Sequence, residues 1–391
     1  MKVVNTIWKR IRSEPPVAAA AVIILFFSLP VLVSIAVRGY VLLPPGYTYT
    51  LAVKPLFGLA AIAIDLLLLF FFSIAPVVRL NFHSIITPDL LRKALILLYL
   101  LITWICFYIF NHTLNFVSSL LSDPVTTMLG LGSALVDNKL LGVFFLGISG
   151  CLGYALTKKE DGVLLKTLSF ITMLAIALFY FFIGRREISL MTLCFLLLVK
   201  KKKISRTFLA VVLAASAGIL VFVLSLRVDT AGSGGSLYGT DSEELSPVAY
   251  SAYVVQHATP DIISSFTEVT PLRSKLFPTS ISAAYFMEQT GYNDIAAPVL
   301  GVGGVTYMYG FIVPIVELLL IGVVARSVTN EYKLKKTPVL RLLLIYMTFK
   351  TVNIFRNGEF PIVMIDILLF FILALPAVYL NFQKSDHAKA I

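Results

Sequence analysis

The sequence predicts an all-α polytopic membrane protein, and three observations carry that prediction. Hydrophobic residues make up 58% of the 391 positions, charged residues only 14%, and mean hydropathy is +0.91. A chain of this composition is solvated mostly by lipid. Its apolar residues also gather into runs near the length of about 20 residues that one helix needs to cross a bilayer core.

Ten such runs follow one another. The first half holds Val17 to Val37, Pro55 to Val78, Ala94 to Phe110, Leu140 to Leu156 and Thr167 to Gly184. The second half holds Glu187 to Val199, Thr207 to Leu226, Ala297 to Ala325, Val339 to Phe355 and Phe360 to Leu380. The first run follows Lys9, Arg10 and Arg12 without a small-residue cleavage site, so it is expected to be a retained anchor. Two outer stretches interrupt the pattern. Residues 113–139 are apolar but broken by Ser118, Ser119, Asp123, Pro124 and Gly130, as an interfacial or re-entrant segment would be. Residues 228–296 form the large polar loop, too long for a simple connection. It opens on the flexible run Ala231-Gly232-Ser233-Gly234-Gly235-Ser236, and Ser246 before Pro247 signals a helix start within it. The chain as a whole, residues 1–391, is expected to form a single integral membrane domain.

The net charge of +11 sits in short basic clusters between apolar runs, which is how orientation signals are distributed, so nucleic acid is not expected as a partner. Lys and Arg are concentrated on the side that holds both termini, which the positive-inside rule makes cytoplasmic. Arginine departs from that trend, with Arg38, Arg185, Arg186, Arg227, Arg273 and Arg356 all falling on the outer side. A guanidinium grips phosphate oxygens bidentately where an ammonium offers a point charge. An outward-facing site for a phosphorylated, membrane-held ligand follows as an expectation.

The pair Arg185-Arg186 is the sharpest element of that expectation, because no polar linker separates the runs on either side of it. One arginine at mid-bilayer costs roughly 2.5–3.5 kcal/mol on the lenient insertion scale. The helix that follows, ending at the basic run Lys200 to Lys203, rises only about 20 Å, which leaves the pair below the outer surface unless it snorkels to the headgroups. Arg356 closes the ninth run ahead of Asn357-Gly358-Glu359-Phe360-Pro361, an outer hairpin. His257, in the long loop, is the candidate general base for a hydroxyl nucleophile, since histidine is the residue type suited to proton transfer near neutrality. Asp65, Glu317 and Asp366 lie inside apolar runs, where an acid pairs within the bundle, bonds to backbone, or carries protons.

Nucleotide and soluble-enzyme signatures are missing: there is no Walker loop, GxGxxG after a strand, HExxH or GxSxG. The three cysteines, Cys106, Cys151 and Cys194, fall in apolar runs without metal or disulfide spacing. No cofactor and no metal are expected.

Four features together resemble the Wzy-type O-antigen, or oligosaccharide repeat-unit, polymerases of bacterial inner membranes. They are Gly184-Arg185-Arg186 opening a short helix that ends at Lys200 to Lys203, the large outer loop flanked by Arg227, the run Gly301-Val302-Gly303-Gly304 with Tyr309-Gly310-Phe311, and Phe355-Arg356-Asn357-Gly358. The likeness covers roughly the last 210 residues, and it departs from an Arg-to-Gly spacing of eleven, since Arg227 is followed by Gly239 at twelve. The resemblance implies a helical fold like the GT-C glycosyltransferases, in the inner membrane, with its site facing the periplasm. The implied substrate is an oligosaccharide on undecaprenyl diphosphate, and a chain-length regulator is an implied partner protein besides membrane lipids. On that reading Arg185, Arg186, Arg227, Arg273 and Arg356 bind diphosphate or glycan and His257 acts as base. Two rivals stay open: an O-antigen ligase passing the glycan to lipid A core, and a lipid-linked oligosaccharide flippase using Asp65, Glu317 and Asp366.

Overall fold

The computed structural model describes residues 2–42, 52–79, 89–115, 139–157, 162–182, 186–199, 247–257, 301–308, 311–336 and 338–358. The structure is mostly helical. Its elements are α1 (Lys2–Ser13), α2 (Pro15–Arg38), β1 (Val41–Leu42), β2 (Ala52–Val53), α3 (Pro55–Ile74), α4 (Asp89–Leu114), α5 (Lys139–Thr157), α6 (Val163–Phe182), α7 (Arg186–Val199), α8 (Pro247–His257), α9 (Val302–Met308), α10 (Ile312–Lys335) and α11 (Pro338–Asn357). The chain divides into two compact units, one of Met1–Leu80, Tyr238–Lys336 and Tyr346–Ile365, the other of Asn81–Leu237, Thr337–Ile345 and Asp366–Ile391.

Four described helices, Pro15–Arg38, Pro55–Ile74, Lys93–His112 and Val163–Tyr180, are long and apolar enough to cross a membrane. Their surfaces agree with lipid as the solvent. Leu25, Phe26 and Leu29 on α2 and Leu97, Leu101 and Tyr108 on α4 are exposed, where a protein in water would carry polar side chains. Of the ten expected runs, those at 207–226 and 360–380 lie outside the described residues, as does most of the interfacial segment at 113–139.

In the first unit α2 starts with Pro15 and Pro16, whose fixed φ suits a first helical turn, and stops at Gly39, whose φ of +74° lets its amide reach back to Ile35 O at 2.9 Å. The two short strands pair antiparallel, Val41 opposite Val53, and return the chain to Pro55, the first residue of α3. Gly58 lets α3 close onto that turn, since a Cβ there would stand 2.7 Å from the Val41 side chain.

The far end of α3 is tied by charge. Arg10 donates to the backbone oxygen of Ser73, and Arg326 from α10 holds Glu14 through Nε at 2.9 Å and Nη2 at 3.4 Å. Burial and the neighbouring Arg326 lower the Arg10 pKa from its ordinary value, while Glu14 raises it. Ser327 Oγ accepts the Val78 amide at 2.9 Å, so α10 grips the chain just beyond α3 as well.

The second unit packs α4, α5, α6 and α7 around an aromatic core. Phe107 stacks on Phe145 at 5.7 Å with rings 6° apart and meets Phe179 at 5.2 Å. Trp104 Nε1 donates to Thr172 Oγ1 at 3.0 Å, which gives the indole the partner that a polar edge among apolar helices requires. The Thr192 hydroxyl donates to Ser149 Oγ at 3.3 Å and links α7 to α5.

One expected element is corrected. The single run from Ala297 to Ala325 is two helices, α9 and α10. Glycines at 301, 303, 304 and 310 weaken a continuous helix there, and α10 starts afresh with Pro314 in its first turn, where a missing amide costs nothing. α10 then runs on to Lys335, so Arg326, which the expected boundary left just outside the run, is buried in mid-helix at 7% exposure.

Candidate functional site

The glycine run around α9 is closely packed by its neighbours. α9 lies against α3, and the Gly303 amide donates to Asp65 Oδ1 at 2.8 Å. Asp65 is the eleventh residue of α3, about 15 Å along the axis from Pro55, and is only 2% exposed. Among the described residues this carboxyl has a backbone amide as its partner and no ion pair. The next amide, of Gly304, donates to Ser251 Oγ of α8 at 3.1 Å, while the Ser251 hydroxyl donates to Pro247 O at 2.9 Å. Successive backbone amides are thus taken by side chains from two different helices.

At both places a side chain on the run would force its neighbour to move. A Cβ on Gly303 would stand 2.6 Å from Asp65 Oδ1, and one on Gly304 would stand 2.6 Å from Ser251 Oγ. A third segment closes on the same run. Gly358, just past α11, takes a φ of +64°, sends its amide to Ile354 O at 2.8 Å, and lies so close to Val305 that any Cβ would overlap it. Thr306 Oγ1 on α9 is buried and has no hydrogen-bond partner among the described residues.

α8 comes from the long loop, and its start at Pro247 is the one the Ser246-Pro247 signal predicts. Its burial was not legible. Pro247 through Val255 are all buried, because the segment has no polar face and packs on α3, α9 and α2. The polar, mobile part expected at 231–244 lies outside the described residues.

Near the other end of α8 the Lys54 amide donates to Gln256 Oε1 at 2.8 Å, and Gln256 Nε2 stands 3.0 Å from His257 Nε2. A backbone amide only donates, so the Gln256 oxygen must face Lys54 and its NH2 must face the imidazole. Neutral His257 then accepts at Nε2 and carries its proton on Nδ1. Tyr253, one turn earlier, packs its ring 4.3 Å from the His257 ring. His257 itself is exposed, so a proton acceptor is available there once Gln256 lets go of Nε2.

Arg356 is half-buried in the last turn of α11, two residues before the Gly358 contact with the glycine run. Arg186 is the first residue of α7, in the second unit, and its side chain lies outside the described residues. Arg185, Arg227 and Arg273 lie outside them entirely, as does Asp366. The structure therefore brings the Gly301–Gly304 and Arg356–Gly358 motifs together, with the helix that carries His257 packed on the same run. Sequence reading passed over Ser251 and Gln256. Each is an ordinary polar residue in an apolar helix, and only the chain folded opposite gives it a partner. Among the described residues no three His, Cys, Asp or Glu side chains gather as metal ligands would. No family model matches this chain, and no curated protein or solved structure is significantly similar to it.

Proposed function

We propose that the chain is a glycosyltransferase-type polymerase that joins undecaprenyl-diphosphate-linked oligosaccharide repeat units on the periplasmic face of a bacterial inner membrane, with a GT-C-like fold of about ten spans. What supports the reading is the meeting of three segments on one glycine run: α8 from the long loop, the start of α9, and the chain just after Arg356. In the proposed reaction a hydroxyl of the incoming unit attacks the anomeric carbon of the growing glycan and the lipid diphosphate departs. Negative charge builds on that leaving group, and fixed guanidinium groups stabilise it in proportion to how little they must reorganise. Arg356, whose side chain is described, is assigned this role together with Arg185, Arg186, Arg227 and Arg273. His257 takes the hydroxyl proton through Nε2 after Gln256 swings away.

The test is polymer length in vesicles loaded with lipid-linked repeat units. Arg356→Ala and Arg186→Lys are expected to shorten or abolish the ladder, and His257→Ala to slow it. Unchanged ladders from properly inserted variants would end the proposal. A second reading draws on Asp65: a buried carboxyl halfway along an apolar helix, beside two short helices, is an arrangement used by transporters, and here would suit a lipid-linked oligosaccharide flippase. Loss of translocation in Asp65→Asn with full activity in the arginine variants would favour it.

A further inference from the structure

α1 ends at Ser13 and α2 begins at Pro15, so a single residue joins α1 to a helix long and apolar enough to cross a bilayer. At 100° per residue Ile7, Trp8 and Ile11 share one face, and Lys9 and Arg12 share the other. The protein leaves that apolar face partly uncovered: Trp8 is 54% exposed, and Ile7 and Ile11 are only half-buried. Arg12 stands over the Trp8 ring, 4.9 Å from its centre, which places a guanidinium and an indole at one depth.

The same end of the first unit has an excess of positive charge. Arg10 ties α1 to the end of α3, and α10 is tied there through Glu14 and Val78. Among the described residues the acids at this end are paired, Glu14 with Arg326 at 2.9 Å and Glu331 with the exposed Lys335 at 3.1 Å. Lys9, Arg12, Arg79, Lys333 and Lys336 are exposed around them, and α1 contains no acidic residue.

We propose that α1 lies flat on the bilayer surface where α2 enters and, with these cations, holds anionic lipid headgroups. A helix with an apolar face and a basic face binds such a surface through acyl-chain burial and charge together. A soluble anion would satisfy the cations but leave Ile7, Trp8 and Ile11 in water. A lipid covers both.

The experiment uses the full chain carrying Trp104→Phe, which leaves Trp8 as the remaining one of two tryptophans. It is placed in phosphatidylcholine vesicles containing a quarter phosphatidylglycerol, with brominated acyl chains on one lipid or on the other at the same mole fraction of total lipid. Brominated phosphatidylglycerol is expected to quench Trp8 at least about twofold more than brominated phosphatidylcholine, and Lys9→Gln with Arg12→Gln to bring the ratio near one. Equal quenching by both lipids in the parent overturns the headgroup selection. Absence of quenching by either means that something other than lipid, such as a partner protein, covers α1, and overturns the whole proposal. Should Trp104→Phe fail to fold, the difference between the parent chain and Trp8→Phe reads the same signal.

Discussion

α3 is held at two places by opposite chemistry. Near its last turn, Arg10, Glu14 and Arg326 gather charges of both signs, and the Glu14 carboxylate accepts two bonds from one guanidinium. Halfway along, Asp65 is more deeply buried and has a backbone amide in place of a cation. The first arrangement compensates what it buries, so it behaves as a fixed anchor. The second leaves a carboxyl whose partner among the described residues is an amide dipole, in a position made possible by two consecutive glycines. Buried polar groups that are incompletely compensated are where function is looked for in a membrane.

The largest expected effect tests the anchor. Arg326→Ala removes the guanidinium bonded to a nearly buried Glu14 and leaves it the attraction of Arg10, so the loss is expected at about 3 kcal/mol, the low end for breaking a buried pair. Replacing both residues with Met should recover most of that loss. Unfolding in detergent measures both variants, and equal stabilities for parent and Arg326→Ala would remove the distinction between the two ties. Gly303→Ala comes next, at about 1–3 kcal/mol, because its Cβ would meet Asp65 Oδ1 at 2.6 Å and the packed helices must give way.

Asp65 sharpens the comparison through two replacements. Asp65→Ala leaves the Gly303 amide buried without its acceptor and should cost about 1–3 kcal/mol, whereas Asp65→Asn keeps an acceptor oxygen and should cost less than about 1 kcal/mol. Because Asn barely disturbs packing, an activity change in Asp65→Asn reports on the carboxyl itself. The proposed polymerase should keep its ladder in this variant. Trp104→Phe in the second unit is expected to cost about 1 kcal/mol for one neutral hydrogen bond to Thr172, which sets the scale for a tie without charge. A loss in Gly303→Ala no larger than this would show that the glycine contact is slack.

Much of the fold was legible along the chain. The bounds of α2, α5 and α11 fall within a few residues of the runs read from hydropathy, and Pro247 marked the start of α8 in advance. The break between α9 and α10 was missed because four glycines among apolar residues keep hydropathy high while weakening the helix. Arg326 was passed over for a related reason: the run was drawn to end at Ala325, one residue short of it. Of the candidate site, Asp65, the glycine run and the segment at Arg356 each stood out singly. Their meeting did not.

Hydropathy and charge are sums over neighbouring residues, so the sequence by itself determined that this chain folds as helices suited to lipid and that α1 carries a basic face. Which amide meets Asp65 was decided only by the tertiary structure. Gly303 lies 238 residues away, and a single carboxyl in an apolar run offers no local cue to a partner that comes into reach only when helices from distant parts of the chain pack together.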